Sequence, residues 1–406
     1  MLNVMSIIKK INIYLLPIAA FFILISTAVT NFFIILTVLS ALIVCIKNKN
    51  FSEIYKENFF KACLFIYLLL MTSYVYSIAD PNEVISMLKK YIKIVYIPFI
   101  YYHLKKYKNE KMVINFFIYG SSLILVLSYV KYFNFTRFEC FYEYIKFLNI
   151  YGMSESIVNA KVIIFQNYII HGVVLSFYSF TCLYLASKNK NYVFYILSAL
   201  AFVNVVFLND SRTAYIIITL LSLLSFYKVI TNNGTRLAFL LIISILLSSS
   251  FSENLKNRIN IVNIDKANIE LENYHSSLGS RYIWSKVGMD VLATDPILGK
   301  GIGSFYNSTI IYFKKYNKNN SEKFITNNPH SEFISISAQL GILGLLSFII
   351  FLYYLITSST SVMSIAVSLV FVVSSLLNSV FYDNMLGLFS VIIISLFFKN
   401  KIKLQN

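Results

Sequence analysis

The chain has 406 residues and a mass of 46.8 kDa, of which 58% are hydrophobic and only 13% charged. Ordinary soluble domains carry about 25% charged residues, so this composition excludes a soluble multidomain protein. The net charge of +17 would suit a nucleic-acid binder, but where the bases sit assigns them to a membrane surface instead.

A bilayer core needs about 20 mostly apolar helical residues, and twelve such stretches are predicted. In chain order they begin with Ile11–Thr30, Phe32–Ile46, Phe59–Ile78, Val84–Tyr102, Met112–Tyr132 and Val162–Ala186. The others are Tyr192–Leu208, Thr213–Ile230, Leu237–Phe251, Phe333–Ile356, Val362–Val380 and Met385–Phe398. Ile11–Thr30 follows Lys9 and Lys10 as a signal peptide would, but it lacks a small-residue cleavage site and a second run follows at once, so it reads as retained. Val84–Tyr102 contains Lys89, Lys90 and Lys93 and fits a span least well; Lys89 and Lys93, four residues apart, either face an acidic head group or mark a span drawn in the wrong place. Cys45, Cys63 and Cys182 lie in apolar runs and Cys140 stands alone, so no disulfide framework is implied.

With the N-terminus in the cytoplasm, the inward segments hold seventeen Lys and Arg residues against Glu53, Glu57 and Glu110. That asymmetry is what the positive-inside rule requires, and it places both termini in the cytoplasm. The chain then divides into spans one to nine (1–251), an outward segment (252–331) and spans ten to twelve (332–406). A smaller outward segment runs from Phe133 to Lys161. The segment 252–331 holds the sole tryptophan and mixed charge, and function is expected to concentrate there.

Five places along the chain can carry chemistry. His171 follows Gln166 and Asn167 in the sixth span; an ionisable group there marks either a functional site or an interhelical hydrogen bond. Arg212, in the polar step Asn209-Asp210-Ser211-Arg212-Thr213, sits at the outer end of a helix, where it either snorkels or offers a fork to a phosphate. Arg281 opens an amphipathic helix whose Ile283, Trp284, Val287, Val291 and Leu292 share a face, with Trp284 expected as an interfacial anchor. Gly299-Lys300-Gly301-Ile302-Gly303 is too closely spaced for a dinucleotide fingerprint and reads as a tight turn with Lys300 available to an anion.

His330 lies in Asn328-Pro329-His330-Ser331-Glu332, where Asn328 can cap and Pro329 can open a helix. In the first helical turn the dipole would keep the imidazole neutral, as a general base must be; a histidine that merely completes a cap is the alternative. His103 and His275 fall in no pattern. There is no HExxH, cysteine pair or acidic DxD-like cluster, so a metal-bridged nucleotide-sugar site is not expected.

Taken together, Ser211-Arg212-Thr213-Ala214-Tyr215, Ser280-Arg281 with Trp284, Asp295-Pro296-Ile297-Leu298-Gly299, Pro329-His330-Ser331-Glu332-Phe333 and Leu340-Gly341-Ile342-Leu343-Gly344 resemble the O-antigen ligase and polymerase superfamily of bacterial inner membranes. The resemblance implies an all-α, polytopic glycosyltransferase of the membrane-embedded C type, with about twelve spans and its site on the periplasmic side. It further implies an undecaprenyl-diphosphate-linked glycan as donor, lipid A-core as acceptor and no metal, ATP or nucleic acid. His330 would be the base, Arg212 and Arg281 would hold the diphosphate, and Ser211, His171 and Lys300 complete the expected substrate-binding set. A polymerase that extends the lipid-linked glycan, a protein O-oligosaccharyltransferase and a polysaccharide transporter remain as alternatives.

Overall fold

A computed structural model describes residues 2–54, 56–133, 162–229, 253–270, 273–316 and 322–398, and every regular element among them is helical. The expected ninth span, Leu237–Phe251, nearly all of the smaller outward segment, and Cys140 lie outside the described residues, as do Arg236, Lys399, Lys401 and Lys403. The elements begin with α1 (Leu2–Phe22), α2 (Thr27–Asn48), the short α3 (Phe51–Ile54) and α4 (Asn58–Thr72) with its 3-10 extension Ser73–Tyr76. Next come α5 (Pro81–Tyr91), α6 (Lys93–Tyr107), α7 (Glu110–Tyr132), α8 (Tyr168–Asn189), α9 (Tyr192–Val203), a π turn Asn204–Leu208 and α10 (Arg212–Val229). The segment before the last three helices carries α11 (Glu253–Glu270), α12 (Ser277–Thr294), α13 (Phe305–Lys315) and a 3-10 turn Glu322–Phe324. The final helices are α14 (Glu332–Thr357), α15 (Val362–Leu377) and α16 (Asn384–Phe397).

Among the described residues, five helices are long and apolar enough to cross a bilayer: α2, α4 with its extension, α7, α8 and α14. Five shorter apolar stretches among the described residues, Lys10–Phe22, Tyr192–Leu208, Arg212–Tyr227, Val362–Leu377 and Asn384–Phe397, overlap other expected spans, but the first of these, Ile11–Thr30, is divided because α1 ends at Phe22 and α2 begins at Thr27. Large apolar side chains face outward on these helices, among them Phe32, Ile43, Tyr192 and Ile350. Lipid, not water, is the solvent such a surface suits. The expected span Val84–Tyr102 is not one helix, because the chain breaks at Ile92 into α5 and α6. One unbroken helix would carry three ammonium groups through the apolar layer; the break leaves Lys89 exposed and Lys90 half-buried, and buries only Lys93.

Aromatic side chains fill the centre of the bundle. Phe59 lies 5.0 Å from Phe351 and 4.8 Å from Phe398 between ring centroids, and Phe381 packs against Phe351 and Phe371. Short turns reverse the chain at most steps, so alternate helix starts collect at one end. There Lys93 Nζ at the start of α6 donates to the Asp383 carbonyl at 2.7 Å, and the Glu332 carboxylate at the start of α14 accepts the Phe381 N–H at 2.9 Å. The starts of α8 and α10 meet through Asn209, whose side-chain N–H donates to the Tyr168 carbonyl at 3.1 Å.

The Gly299–Gly303 turn does return the chain to the bundle, and it seats on a break in α14. Gly341 takes φ 62 and ψ −152, which interrupts the helical hydrogen bonds just upstream. The freed carbonyls of Ala338 and Gln339 accept the N–H groups of Lys300 at 3.1 Å and Gly301 at 2.9 Å, and Ile342 N–H donates to Pro296 O at 2.8 Å. The Gln339 side-chain oxygen accepts Gly303 N–H at 2.9 Å. The carbonyls of Ala338 and Gln339 and the N–H of Ile342 thus regain partners from the turn. A Cβ at residue 341 would stand 2.5 Å from the Ile297 carbonyl carbon in a conformation that L side chains rarely adopt. Gly341→Ala is therefore expected to cost about 2 kcal/mol or more, seen as a lowered thermal unfolding midpoint in detergent; an unchanged midpoint would show that the break is not a constrained feature.

Candidate active site

Arg212, Arg281 and His330 come from three separate parts of the chain and meet at the end of the bundle where α8, α10 and α14 start. Asn209 and Ser211 make the step that presents Arg212. The Asn209 side-chain oxygen accepts Ser211 N–H at 2.7 Å, and the buried Ser211 hydroxyl accepts Ala214 N–H at 3.2 Å as the cap of α10. The Tyr215 hydroxyl closes the step by donating to the Asn209 carbonyl. Arg212, the first residue of α10, pairs with Asp265 of α11 at 3.4 Å, and Asp265 is 4% exposed. A buried carboxylate thus fixes one guanidinium group while leaving part of it accessible.

Arg281 lies in the second turn of α12, which begins earlier than the sequence suggests because Ser276 caps it, accepting Gly279 N–H at 3.0 Å. Burial, chiefly, and the nearby Arg212 charge push its guanidinium below its ordinary pKa, with Tyr168 acting in the opposite sense. Two cations held near each other, of which only Arg212 is paired with Asp265, leave a net positive pocket, which an anion would relieve.

His330 departs from its expected place. The helix starts only at Glu332, with Ser331 as N-cap, and His330 lies before it in the left-handed conformation at φ 53. The cause is local: the Asn328 side-chain oxygen accepts His330 N–H at 2.9 Å, making a turn across Pro329 that cannot continue as helix. The imidazole then stacks on Trp284, 5.1 Å between centroids and 28° between planes. Trp284 is half-buried and packs into the fold. Its indole N–H donates to Phe324 O at 2.9 Å, while Ile283, Val287 and Val291 pack into a small core with Phe305, Phe313 and Ala338.

Burial first, and the Arg281 charge second, push the His330 imidazole down to about 4. The neutral ring that the sequence assigned to a helix dipole is thus produced by a neighbouring cation and desolvation. The folded value lies below the unfolded one, so this group stabilises the fold above about 6.5 and that contribution is lost as pH falls toward 4. Nitrogen NMR of histidine-labelled protein is expected to show His330 titrating near 4, with the midpoint rising when inorganic pyrophosphate binds and screens Arg281. A midpoint near 6.5 in the free protein would contradict the arrangement.

The remaining expected site residues lie apart. His171 is buried one turn into α8, where its Nε2 meets the Asn204 side-chain oxygen at 3.2 Å and Asn204 donates to the Ser128 hydroxyl at 2.8 Å. Asn204 reaches them from the π turn, the kind of helix irregularity that often marks functional positions. Lys300 pairs with Asp295 at 3.9 Å on the seated turn. Neither residue bonds to Arg212, Arg281 or His330 among the described residues. Asp265, Tyr168 and Trp284 join the cluster, and of these only Trp284 stood out in the sequence.

Residues 196–349 match the O-antigen ligase family. The match agrees with the resemblance carried by the motif series, and the matched stretch contains Arg212, Asp265, Arg281, Trp284 and His330. No curated protein matches the chain. The family likeness covers 154 of the 406 residues, and the described helices around it include ones long and apolar enough to cross a membrane.

Proposed function

We propose that the protein is an inverting glycosyltransferase of the bacterial inner membrane that ligates O-antigen polysaccharide from undecaprenyl diphosphate onto lipid A-core at the periplasmic face. The observation that carries this reading is the gathering of one neutral histidine and two guanidinium groups at one end of the bundle. In the proposed step an acceptor hydroxyl gives its proton to a His330 ring nitrogen as its oxygen attacks the anomeric carbon. The bond from that carbon to the diphosphate oxygen breaks with inversion, and the electron pair departs on the diphosphate. Arg212 and Arg281 take up that charge as it develops, the role for which preorganised cations contribute most. Asp265 positions Arg212, and Trp284 holds the imidazole by stacking. Neither metal nor ATP enters the step.

Reconstituted transfer tests this reading. Purified protein, undecaprenyl-diphosphate-linked glycan and lipid A-core, with a chelator and no nucleotide, should give polysaccharide joined to the core with inverted anomeric configuration. Product consisting only of longer lipid-linked glycan would assign the polymerase reaction instead. Loss of turnover on chelation, or movement of the lipid-linked glycan across the bilayer without transfer, would overturn the proposal.

A further inference from the structure

A second cationic feature stands apart from the cluster. A cavity of about 660 Å³ opens among α2, α5, α6 and α16, none of which carries Arg212, Arg281 or His330. Ile35, Leu88, Ile92 and Leu388 make much of its wall, and Lys89 and Lys93 reach it from either side of the break at Ile92. Thr27 at the start of α2 and Asn384 at the start of α16 also line it, so it lies at the same end of the bundle as the cluster.

The two lysines are not neutralised by ion pairs. Lys93 is 4% exposed and donates to the Asp383 carbonyl at 2.7 Å and to the Asn384 side-chain oxygen at 3.5 Å, which leaves one of its three N–H donors. The two nearest acids are held by the main chain: Asp383 caps α16 by accepting Leu386 N–H at 2.8 Å, and Glu332 accepts Phe381 N–H at 2.9 Å. Lys90 sits 3.4 Å from the centroid of the Tyr382 ring. Among the described residues neither Lys89 nor Lys93 has a carboxylate within ion-pair distance. Asp383 and Glu332 act on Lys93 only from beyond contact distance and Lys89 adds a second charge at the cavity; a buried ammonium group without a directly paired counter-ion is costly, and an anionic ligand in the cavity would supply one.

The surroundings call for a lipid rather than a soluble anion. The apolar wall continues at Ile35 into the outward face of α2, where Phe32, Leu39 and Ile43 are 58%, 46% and 64% exposed. We propose that this groove binds an anionic phospholipid, with the phosphate between Lys89 and Lys93 and an acyl chain along α2. A head group beside basic residues at the membrane surface gains by charge, and the exposed apolar stripe gains by contact with the chain.

The test uses the full-length protein in nanodiscs of equal phosphatidylglycerol and phosphatidylcholine, with retained lipid read by native mass spectrometry. Wild type is expected to keep one phosphatidylglycerol in preference to phosphatidylcholine. Lys89→Gln, at an exposed position, should lower that preference about fivefold, Lys89→Arg should preserve it, and Lys111→Gln at the start of α7 should leave it unchanged. Equal retention of both lipids by wild type, or the same preference in Lys89→Gln, would overturn the assignment. So would selective retention of a phosphorylated glycolipid added in competition, which would make the groove an acceptor site.

Discussion

Replacing His330 with asparagine is expected to lower glycan transfer by about three orders of magnitude while the protein stays folded and in the membrane. The choice of asparagine matters because residue 330 is left-handed at φ 53, a conformation that asparagine and histidine enter more readily than alanine does. Asparagine keeps the main-chain N–H that binds Asn328 and removes the ring nitrogen that accepts a proton. What it loses structurally is the stacking on Trp284, worth about 1 kcal/mol. His330→Ala should be equally inactive and somewhat less stable, so comparing the two separates chemistry from strain. Retention of more than a tenth of wild-type turnover by His330→Asn would remove His330 from the role of base.

Removing Arg281 is the second large effect. Arg281→Ala should reduce kcat by about two to three orders of magnitude, the range seen when one preorganised donor to a developing negative charge is lost. Arg281→Lys should fall between, because an ammonium group keeps the charge without the planar fork. A second readout distinguishes this from general damage. The Arg281 charge helps to hold the His330 imidazole down, so its removal must raise that pKa, and the acid limb of the kcat/KM profile of residual activity should move upward. Arg212→Ala is harder to interpret alone, since it leaves the buried Asp265 carboxylate without its partner and adds a structural cost of about 1–3 kcal/mol. If Arg281→Ala loses activity without any displacement of the acid limb, Arg281 does not act beside His330.

Much of the bundle could be read from hydropathy, because a lipid-facing helix must be apolar over its whole length and the breaks between spans are polar. The three lysines in Val84–Tyr102 already conflicted with a span, and the structure resolves the conflict by dividing it at Ile92. The break at Gly341 left no such mark: the residues on either side keep their apolar pattern, and the partners that satisfy the opened carbonyls come from a turn some forty residues upstream. His330 could be identified as a rare ionisable group beside proline, but its conformation rests on a bond from Asn328 that competes with helix formation. Trp284 on an amphipathic stripe is equally consistent with an interface or a core, and only the fold decides. Asp265 gave no signal at all, since an acid in a polar helix is ordinarily solvated. Glu332 sits in the motif itself, yet an acid in a first helical turn is commonplace, and its burial against Phe381 depends on where α15 ends.

The most direct measurement is the position of the donor diphosphate, obtained by cryo-electron microscopy of the protein bound to a polyprenyl-diphosphate sugar that cannot be transferred. The account predicts the diphosphate within hydrogen-bond reach of both Arg212 and Arg281, with the anomeric carbon facing the His330 ring. A diphosphate seated at the Lys300 turn, at the opposite end of the bundle, or held through a metal ion would contradict it.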